Sequence, residues 1–269
     1  MDKNIKKFSI ILPTLNEAEN LKTLIPEIFK ELKNFSNLNF EVLVVDDNSN
    51  DGTYNLIQSL QKKYKNLNIY VRSKEKSLPL SILDGVKKSK HEYVMWLDAD
   101  GSMSASTVKK MILHSDDNKS VVIASRFVEG GGYKGVKENQ GSSFIKAILN
   151  VRGSKDSVLG MIFSIIFNKF LQIIFRSNVK DLTSGFIFIH KDLIYENAFK
   201  ISSYGEYFIF LVNDLLKKNV KIYEIGYICG TRKYGESKTA NSFRQLVSRG
   251  IPYIKAVIKC RYLNYGNTK

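Results

Sequence analysis

Residues 93–100 form a short apolar run that ends in two carboxylates one residue apart, and this pattern limits the possible folds of the chain more than any other. A run of this length, bounded by a turn signal, predicts a buried strand with Asp98 and Asp100 at its C-terminal end. Ligands of open α/β sheets bind at that edge. Carboxylate oxygens suit Mg²⁺ or Mn²⁺, which can bridge to substrate phosphates. Because two exposed acids can also simply end a strand, the other motifs must decide.

The first half of the chain alternates between strand and helix patterns. Besides the strand before Asp98, strands are predicted at 8–12, 40–45, 67–71 and 121–124, with helical spacing between them. Strands separated by helices imply right-handed crossovers. We therefore predict an α/β fold with a mostly parallel sheet flanked by helices.

The second predicted strand also ends in carboxylates, Asp46 and Asp47, before a turn-rich run. Both acid-bearing strand ends should share one edge, where clustered like charges repel unless a cation or hydrogen-bond donors balance them. The pattern predicts a nucleotide-binding crevice with a cation site. Farther upstream, Asn16 is predicted to cap the first helix, with Glu19 reaching back as in a capping box.

The charge balance indicates anionic partners. The chain has 41 Lys and Arg against 26 Asp and Glu, a formal net charge of +15, which suits nucleic acid, anionic lipid or phosphorylated substrates. No base-reading module is evident, so nucleic acid is not a predicted partner. Two cysteines without a CxxC or Cys/His cluster indicate neither a disulfide framework nor a zinc site. Because the N-terminus lacks the apolar stretch of a signal peptide, we expect a cytoplasmic location.

Three motifs in order, at 12–17, 44–53 and 97–100, together resemble the signature of glycosyltransferase family 2, which has a glycosyltransferase-A fold. Further segments resemble the polyprenyl-phosphate (dolichol-phosphate) mannosyltransferase subgroup, and they lie at 124–127, 179–186 and 231–238. The resemblance covers about residues 8–238. It implies inverting, metal-dependent transfer of a hexose, with mannose from GDP-mannose expected, to polyprenyl or dolichyl phosphate at the cytoplasmic membrane face.

The resemblance also implies roles for individual residues. Nucleotide contacts fall on Pro13, Asn16, Glu17, Asp46 and Asp47. By the same resemblance, Asp98 and Asp100 would bind the cation, Mg²⁺ or Mn²⁺. The residues that would contact phosphates are Arg126, Ser184, Arg232 and Lys238. Guanidinium groups suit this task because they bind phosphate through two parallel hydrogen bonds. The alternative for residues 232–238 is a solvated basic loop.

The chain departs from the subgroup pattern at three places. Ser102 stands where a metal-binding glutamine is usual. We predict that it replaces this glutamine as a metal ligand, through its hydroxyl or a water, and the preferred metal is open. Residues 77–80 replace a Gly-Leu-Gly sequence, which leaves the donor sugar open. Leu211 replaces a glutamate, for which Glu206 could compensate one turn earlier. The alternatives are transfer of glucose or an aminosugar from a UDP-sugar to polyprenyl phosphate or a glycan hydroxyl, and a catalytically silent sugar-nucleotide-binding relative.

The nature of the acceptor decides whether the enzyme needs a base. A monoalkyl phosphate has a second pKa near ~6, so its oxygen is largely anionic at neutral pH without a protein base. A hydroxyl acceptor would instead require a positioned carboxylate, for which Glu206 or Asp181 are the candidates. A phosphate acceptor therefore tolerates the missing glutamate.

We predict a catalytic domain at 1–238 and a basic amphipathic C-terminal helix and tail at 239–269. Within the first, residues 158–175 form an apolar helix with one narrow polar stripe. Its length of about 27 Å is marginal for crossing a bilayer, so it is predicted to lie in the membrane interface. The alternative is a core or dimer-interface helix. We expect peripheral membrane association, directly or through a separate membrane subunit.

Overall fold

The computed structural model describes residues 7–133, except 34, 36, 37 and 116–118, together with residues 155–230 and 243–262. The strands of the main sheet are β1 (Lys7–Thr14), β2 (Asn39–Asp46), β3 (Leu67–Val71), β4 (Tyr93–Trp96), β5 (Val121–Ser125), β7 (Ile187–His190) and β8 (Ile222–Gly226). They lie in the order β3-β2-β1-β4-β7-β5-β8. All neighbours are parallel except β7, which runs antiparallel to β4 and β5. Short strands β6 (Gly132–Tyr133) and β9 (Ile228–Cys229) pair separately.

Helices cover both faces of this sheet. They are α1 (Ala18–Leu32), α2 (Thr53–Gln61), α3 (Leu78–Lys88), α4 (Ala105–Leu113), α5 (Lys155–Phe175), α6 (Glu196–Lys200), α7 (Tyr207–Lys217) and α8 (Phe243–Tyr262), with a 3₁₀ turn at Lys191–Leu193. Side chains of α1, α2 and α4 pack on one face, and those of α3, α5, α6, α7 and α8 pack on the other. Successive residues of β1 point to opposite faces of the sheet. Ile10 packs in the core under α1, α2 and α4, and Ile11 packs in the core on the other face.

The predicted α/β fold with a mostly parallel sheet is confirmed. All five predicted strands are present, each within one or two residues of its predicted ends. Strands β7 and β8 were not predicted from the sequence pattern. Insertion of β7 between β4 and β5 brings the loop before it, residues 181–186, against the C-terminal end of β5.

The predicted capping box at the start of α1 is wrong. The helix begins at Ala18, so Asn16 lies one residue too far out, with φ of 56°. The Asn16 Oδ1 atom accepts a hydrogen bond from the Asn50 backbone N–H (3.0 Å), and the Ala18 N–H donates to Asp51 Oδ2 (2.8 Å). The β2–α2 loop therefore caps α1, in place of Asn16 and Glu19.

The polar stripe of α5 faces the protein. Asn168 is buried, its Oδ1 accepts from the Leu182 N–H (2.8 Å), and its Nδ2 donates to Thr183 Oγ1 (2.8 Å). The opposite side of α5 exposes apolar side chains, including Ile166 and Ile173. Among the helices that the structure describes, none combines the length and the apolar character needed to cross a membrane. The predicted domain boundary at residue 238 lies outside the described residues.

Candidate active site

A cavity of about 260 Å³ opens where β1, β2 and β4 end at the carboxyl edge of the sheet. Its walls include Pro13, Glu17, Asp47, Ser77, Asp98, Asp100, Ser203 and Tyr204. Because β1 lies between β2 and β4, the turn after each outer strand faces the same space. The structure thus brings the two acid-bearing strand ends together in one cavity, as the sequence predicts.

Asp47 is held by an arginine that the sequence analysis missed. Arg72 Nη1 donates to Asp47 Oδ1, and the Ser77 backbone N–H donates to Asp47 Oδ2 (2.9 Å). Arg72 Nε donates to Asp84 Oδ2 (2.8 Å). Burial alone would lower the pKa of Arg72, but hydrogen bonds and charges from Asp84 and Asp47 raise it above its usual value. This buried cation therefore balances part of the predicted repulsion. The sequence signal that could have identified Arg72 is its position directly after β3, at the same edge of the sheet as Asp47.

Asp46 and Asn16 tie two loops together instead of lining the cavity. The Ser49 hydroxyl donates to Asp46 and accepts a hydrogen bond from the Asn16 backbone N–H (2.8 Å). Glu17 does line the cavity, and its Oε2 accepts from Asn20 Nδ2 (2.6 Å). The nucleotide-binding roles of Pro13, Asn16, Glu17, Asp46 and Asp47 stay predictions, and the geometry places three of these five residues at the cavity.

The Asp-X-Asp segment forms a turn beyond β4. The Asp98 backbone N–H donates to Met103 Sδ (3.3 Å), and Asp100 Oδ1 accepts from the Ser102 N–H (2.9 Å). The two carboxylates are oxygen donors that suit Mg²⁺ or Mn²⁺, with waters and substrate phosphates as further ligands. Across the described ranges, no cluster of three or more His, Cys, Asp or Glu side chains forms a ready metal site. The donor chemistry fits the cation, and the metal-binding roles, including that of Ser102, stay predictions.

Arg126 is paired with a buried carboxylate. Its Nε and Nη2 donate to the two oxygens of Asp181 (2.8 and 2.7 Å), and its backbone N–H adds a third bond (2.9 Å). Nη2 also donates to Thr183 Oγ1 (2.9 Å), and the guanidinium lies over the rings of Phe127 and Tyr133. Burial would lower the pKa of Arg126, but the Asp181 charge raises it well above its ordinary value. A phosphate contact by Arg126 would therefore come in addition to this ion pair.

The other predicted phosphate-binding residues divide into two groups. Ser184 is buried, its hydroxyl donates to the Ala124 carbonyl, and it accepts from the Phe186 N–H (3.2 Å). It thus fastens the loop before β7 to β5, and its phosphate role stays a prediction. Arg232 and Lys238 lie outside the described residues.

Both carboxylates proposed as bases for a hydroxyl acceptor are already bound by donors. Glu206 Oε1 accepts from the Ser203 N–H (2.6 Å) and hydroxyl (2.8 Å), and Oε2 accepts from the Tyr204 N–H (2.9 Å). Asp181 is fully buried in its pair with Arg126. Glu206 therefore shapes the loop at the cavity rim, next to α7.

Three buried aromatic residues, Trp96, Phe199 and Tyr207, contact one another near the end of β4. Trp96 Nε1 donates to the Tyr207 hydroxyl (3.0 Å), and the Tyr207 ring stacks on Phe199. Burial, together with the negative charge of Asp98, raises the pKa of Tyr207 well above its ordinary value. Tyr207 therefore stays neutral and holds the end of β4 against α7.

Known proteins resemble this chain in sequence. The sequence model for Glycosyl transferase family 2 matches residues 9–197. The dolichol-phosphate mannosyltransferase of Pyrococcus furiosus is 30% identical over 233 residues, which are 86% of this chain and 59% of the relative. The poly(ribitol-phosphate) β-N-acetylglucosaminyltransferase TarP of Staphylococcus aureus is 33% identical over 133 residues, 48% of this chain and 39% of that protein. The chain spans less than two thirds of the length of these relatives.

Solved structures show the same fold. Glucosyl-3-phosphoglycerate synthase from Mycobacterium tuberculosis, solved in complex with Mn²⁺, UDP and glucosyl-3-phosphoglycerate, superposes with a TM-score of 0.65. The superposition covers 97% of this chain and 82% of that one, at 14% sequence identity. The glycosyltransferase-A-like fold expected from the resemblance is thereby confirmed. The chain belongs to glycosyl transferase family 2.

Proposed function

We propose that this glycosyltransferase transfers a hexose, with inversion, from a nucleotide diphosphate sugar to polyprenyl phosphate, with GDP-mannose as the first candidate donor. The similarity to the P. furiosus dolichol-phosphate mannosyltransferase over 86% of the chain carries this proposal. The engagement of Glu206 and Asp181 by several donors supports a phosphate acceptor, because neither carboxylate is placed to serve as a base.

The donor is proposed to lie along the cavity from Asp47 to Asp98. The nucleoside would occupy the end framed by Pro13, Glu17 and Asp47, and the diphosphate would lie beside Asp98 and Asp100. When bound by those two carboxylates, Mg²⁺ or Mn²⁺ would supply charge stabilisation for the diphosphate. This arrangement leaves the rim formed by residues 203–204 for the acceptor.

The reaction is a direct displacement. An anionic oxygen of the lipid phosphate forms a bond to the anomeric carbon while the bond to the leaving diphosphate oxygen breaks, and the electron pair departs with the nucleoside diphosphate. Because the attacking oxygen is already ionised, the residues of the chain act by positioning the two substrates in line. Arg232 and Lys238 are proposed to contact phosphates.

A membrane surface is the proposed location of the acceptor. The exposed apolar side chains are Phe163, Ile166, Phe170 and Ile173 on α5, and Ile251, Ile254 and Ile258 on α8. The two helices pack together through Phe167 and Tyr253, whose ring centroids are 6.1 Å apart, so these faces are neighbours. The exposed lysines beside them are Lys169, Lys255 and Lys259. Each lysine near an anionic leaflet would contribute about 1 kcal/mol.

The function is tested by following labelled sugar into the lipid phase. The purified protein is incubated with Mg²⁺ or Mn²⁺, polyprenyl phosphate in detergent, and labelled GDP-mannose, UDP-glucose or UDP-N-acetylglucosamine. We expect lipid label from GDP-mannose that is lost in Asp98→Ala and Asp100→Ala. Asp192→Ala is the control, because this exposed acid follows the antiparallel strand β7 and so lies at the opposite edge of the sheet.

Other outcomes of this assay would correct the proposal. Lipid label from a uridine donor would keep the mechanism and change the sugar. Label transferred only to a glycan hydroxyl would overturn the lipid acceptor and favour an activity of the kind that the TarP name describes. Nucleotide binding without transfer from any donor would indicate a catalytically silent relative.

The membrane placement has its own test. We expect the protein to float with liposomes that contain anionic lipid, and the double variant Ile173→Asn/Ile258→Asn to lose this binding. Leu113→Asn is the matched control, because Leu113 is a similarly exposed apolar residue on α4, on the other face of the sheet. Equal flotation of both variants would contradict a role for the α5–α8 face.

A further inference from the structure

The C-terminal helix α8 contacts the rim of the active-site cavity through one side chain. The hydroxyl of Tyr253 packs directly on the backbone of Gly205: a Cβ atom at Gly205 would lie 2.1 Å from the phenolic oxygen and 3.3 Å from Cζ. A separation of 2.1 Å between non-bonded atoms is a severe overlap. The close approach of α8 therefore depends on the absence of a side chain at Gly205.

Gly205 belongs to the part of the cavity rim that faces the proposed acceptor. The two residues before it, Ser203 and Tyr204, line the cavity together with Asp98 and Asp100. Glu206, the residue after it, holds the backbone N–H groups of both rim residues. One short segment thus joins the cavity wall, the start of α7 and the Tyr253 contact.

Tyr253 lies close enough to residues of the cavity rim for their charges to affect the pKa of its phenol. Burial raises the pKa of its phenol, and the neighbouring Tyr204 and Glu206 raise it further. The hydroxyl therefore remains protonated across the physiological range and contacts Gly205 as a neutral group. On the same helix, the adjacent Ile254 is exposed on the outer face.

We propose that Tyr253 is a positioning residue for the active site, which fixes the 203–205 rim and thereby the place of the acceptor. The helix that carries it lies outside residues 9–197, the region that the family model matches. The proposal rests on the proposed function only for the identity of the acceptor. Helix α8 also carries the exposed apolar face described above. A displacement of this helix would therefore move residues 203–205 through the contact between Tyr253 and Gly205.

Hydrogen exchange tests the positioning without any substrate. The amides of Ser203 and Tyr204 are compared in the wild-type chain, in Tyr253→Ala and in Ile254→Ala, a control at the neighbouring, outward-facing position. We expect Tyr253→Ala to speed exchange in the 203–205 segment on the order of tenfold, and the control to leave it unchanged. Unchanged exchange in Tyr253→Ala would overturn the proposal, whichever sugar or acceptor the enzyme uses.

Kinetics of paired variants test whether the rim serves the acceptor. Gly205→Ala should reduce kcat/KM for the acceptor on the order of tenfold to a hundredfold, because small displacements misalign the attack. The Kd for nucleoside diphosphate should change by less than about twofold, since its predicted contacts lie on other elements. The control Gly250→Ala adds the same methyl group to α8, where the described residues outside this helix place no atom within 4 Å of it.

Rescue identifies the contact responsible. Adding Tyr253→Phe to Gly205→Ala removes the oxygen at 2.1 Å and leaves Cζ at 3.3 Å as the nearest atom, so most of the lost kcat/KM should return. A double variant as impaired as Gly205→Ala alone would overturn the proposal. The proposal would also be overturned if Gly205→Ala weakened nucleoside diphosphate binding as much as it lowered kcat/KM for the acceptor, because a general structural defect would affect both. Failure of lipid transfer in the wild-type chain would instead refute the proposed function and leave the exchange result standing.

Discussion

Replacing Asp181 with asparagine tests whether Arg126 is held by a buried ion pair. The Asp181 side chain is fully buried and that of Arg126 is 14% exposed. Three N–H groups of Arg126 donate to the carboxylate, two to Oδ2 and one to Oδ1. In Asp181→Asn one of these oxygens becomes an NH₂ group, which cannot accept, and the guanidinium loses its counter-charge.

The expected cost follows from these contacts. At least one charge-assisted hydrogen bond is lost and the others are weakened, at about 1.5–3 kcal/mol each. Removing one partner of a buried pair typically costs about 3–5 kcal/mol in total. We therefore expect Asp181→Asn to lower the free energy of unfolding by about 3–5 kcal/mol, a large part of the ~5–15 kcal/mol typical of a folded protein.

Urea unfolding followed by circular dichroism measures this change. Asp192→Asn is the control, because Asp192 forms an exposed pair with Lys119 (2.6 Å) whose loss should leave stability nearly unchanged. A double-mutant cycle with Arg126→Met isolates the coupling between the two side chains. If Asp181→Asn is no more destabilising than Asp192→Asn, the buried-pair argument is refuted and the guanidinium is available for phosphate.

Three further predictions concern the helix cap, pH and metal. Asp51→Ala removes the acceptor for the Ala18 N–H and should cost about 0.5–2 kcal/mol in urea unfolding, whereas Asp51→Asn should cost less. Burial lowers the pKa of His91 below 6.5, so the unfolded chain binds more protons there and the free energy of unfolding should fall as the pH drops below 6.5. His91→Gln should weaken this pH dependence of stability, and an unchanged dependence in the variant would contradict the prediction. EDTA should abolish sugar transfer and Mn²⁺ should restore it, while Asp98→Asn and Asp100→Asn should weaken Mn²⁺ binding in calorimetry; full transfer in EDTA would refute the metal role.

Patterns local in sequence predicted the strands well, because each buried strand is a short apolar run bounded by turn residues. The same rule applies to β7, whose four residues are all buried, but no local signal shows that it runs antiparallel between two parallel strands. The cap of α1 failed for a related reason. Asn16 has the right residue type, yet the Ala18 N–H is capped by Asp51, which lies 33 residues farther along the chain in the loop after β2.

The fold class, the family and the location of the acids at strand ends could be predicted from the amino-acid sequence, since they follow from periodicity and from motifs contiguous in the chain. Which carboxylates face the cavity depends on contacts between segments that are distant in the chain. Asp47 lines it with its charge balanced by Arg72, 25 residues away, whereas the adjacent Asp46 turns to Ser49. Arg126 likewise meets Asp181 across 55 residues. Neighbouring side chains at a strand end point in different directions, so their partners depend on which segments the fold brings alongside.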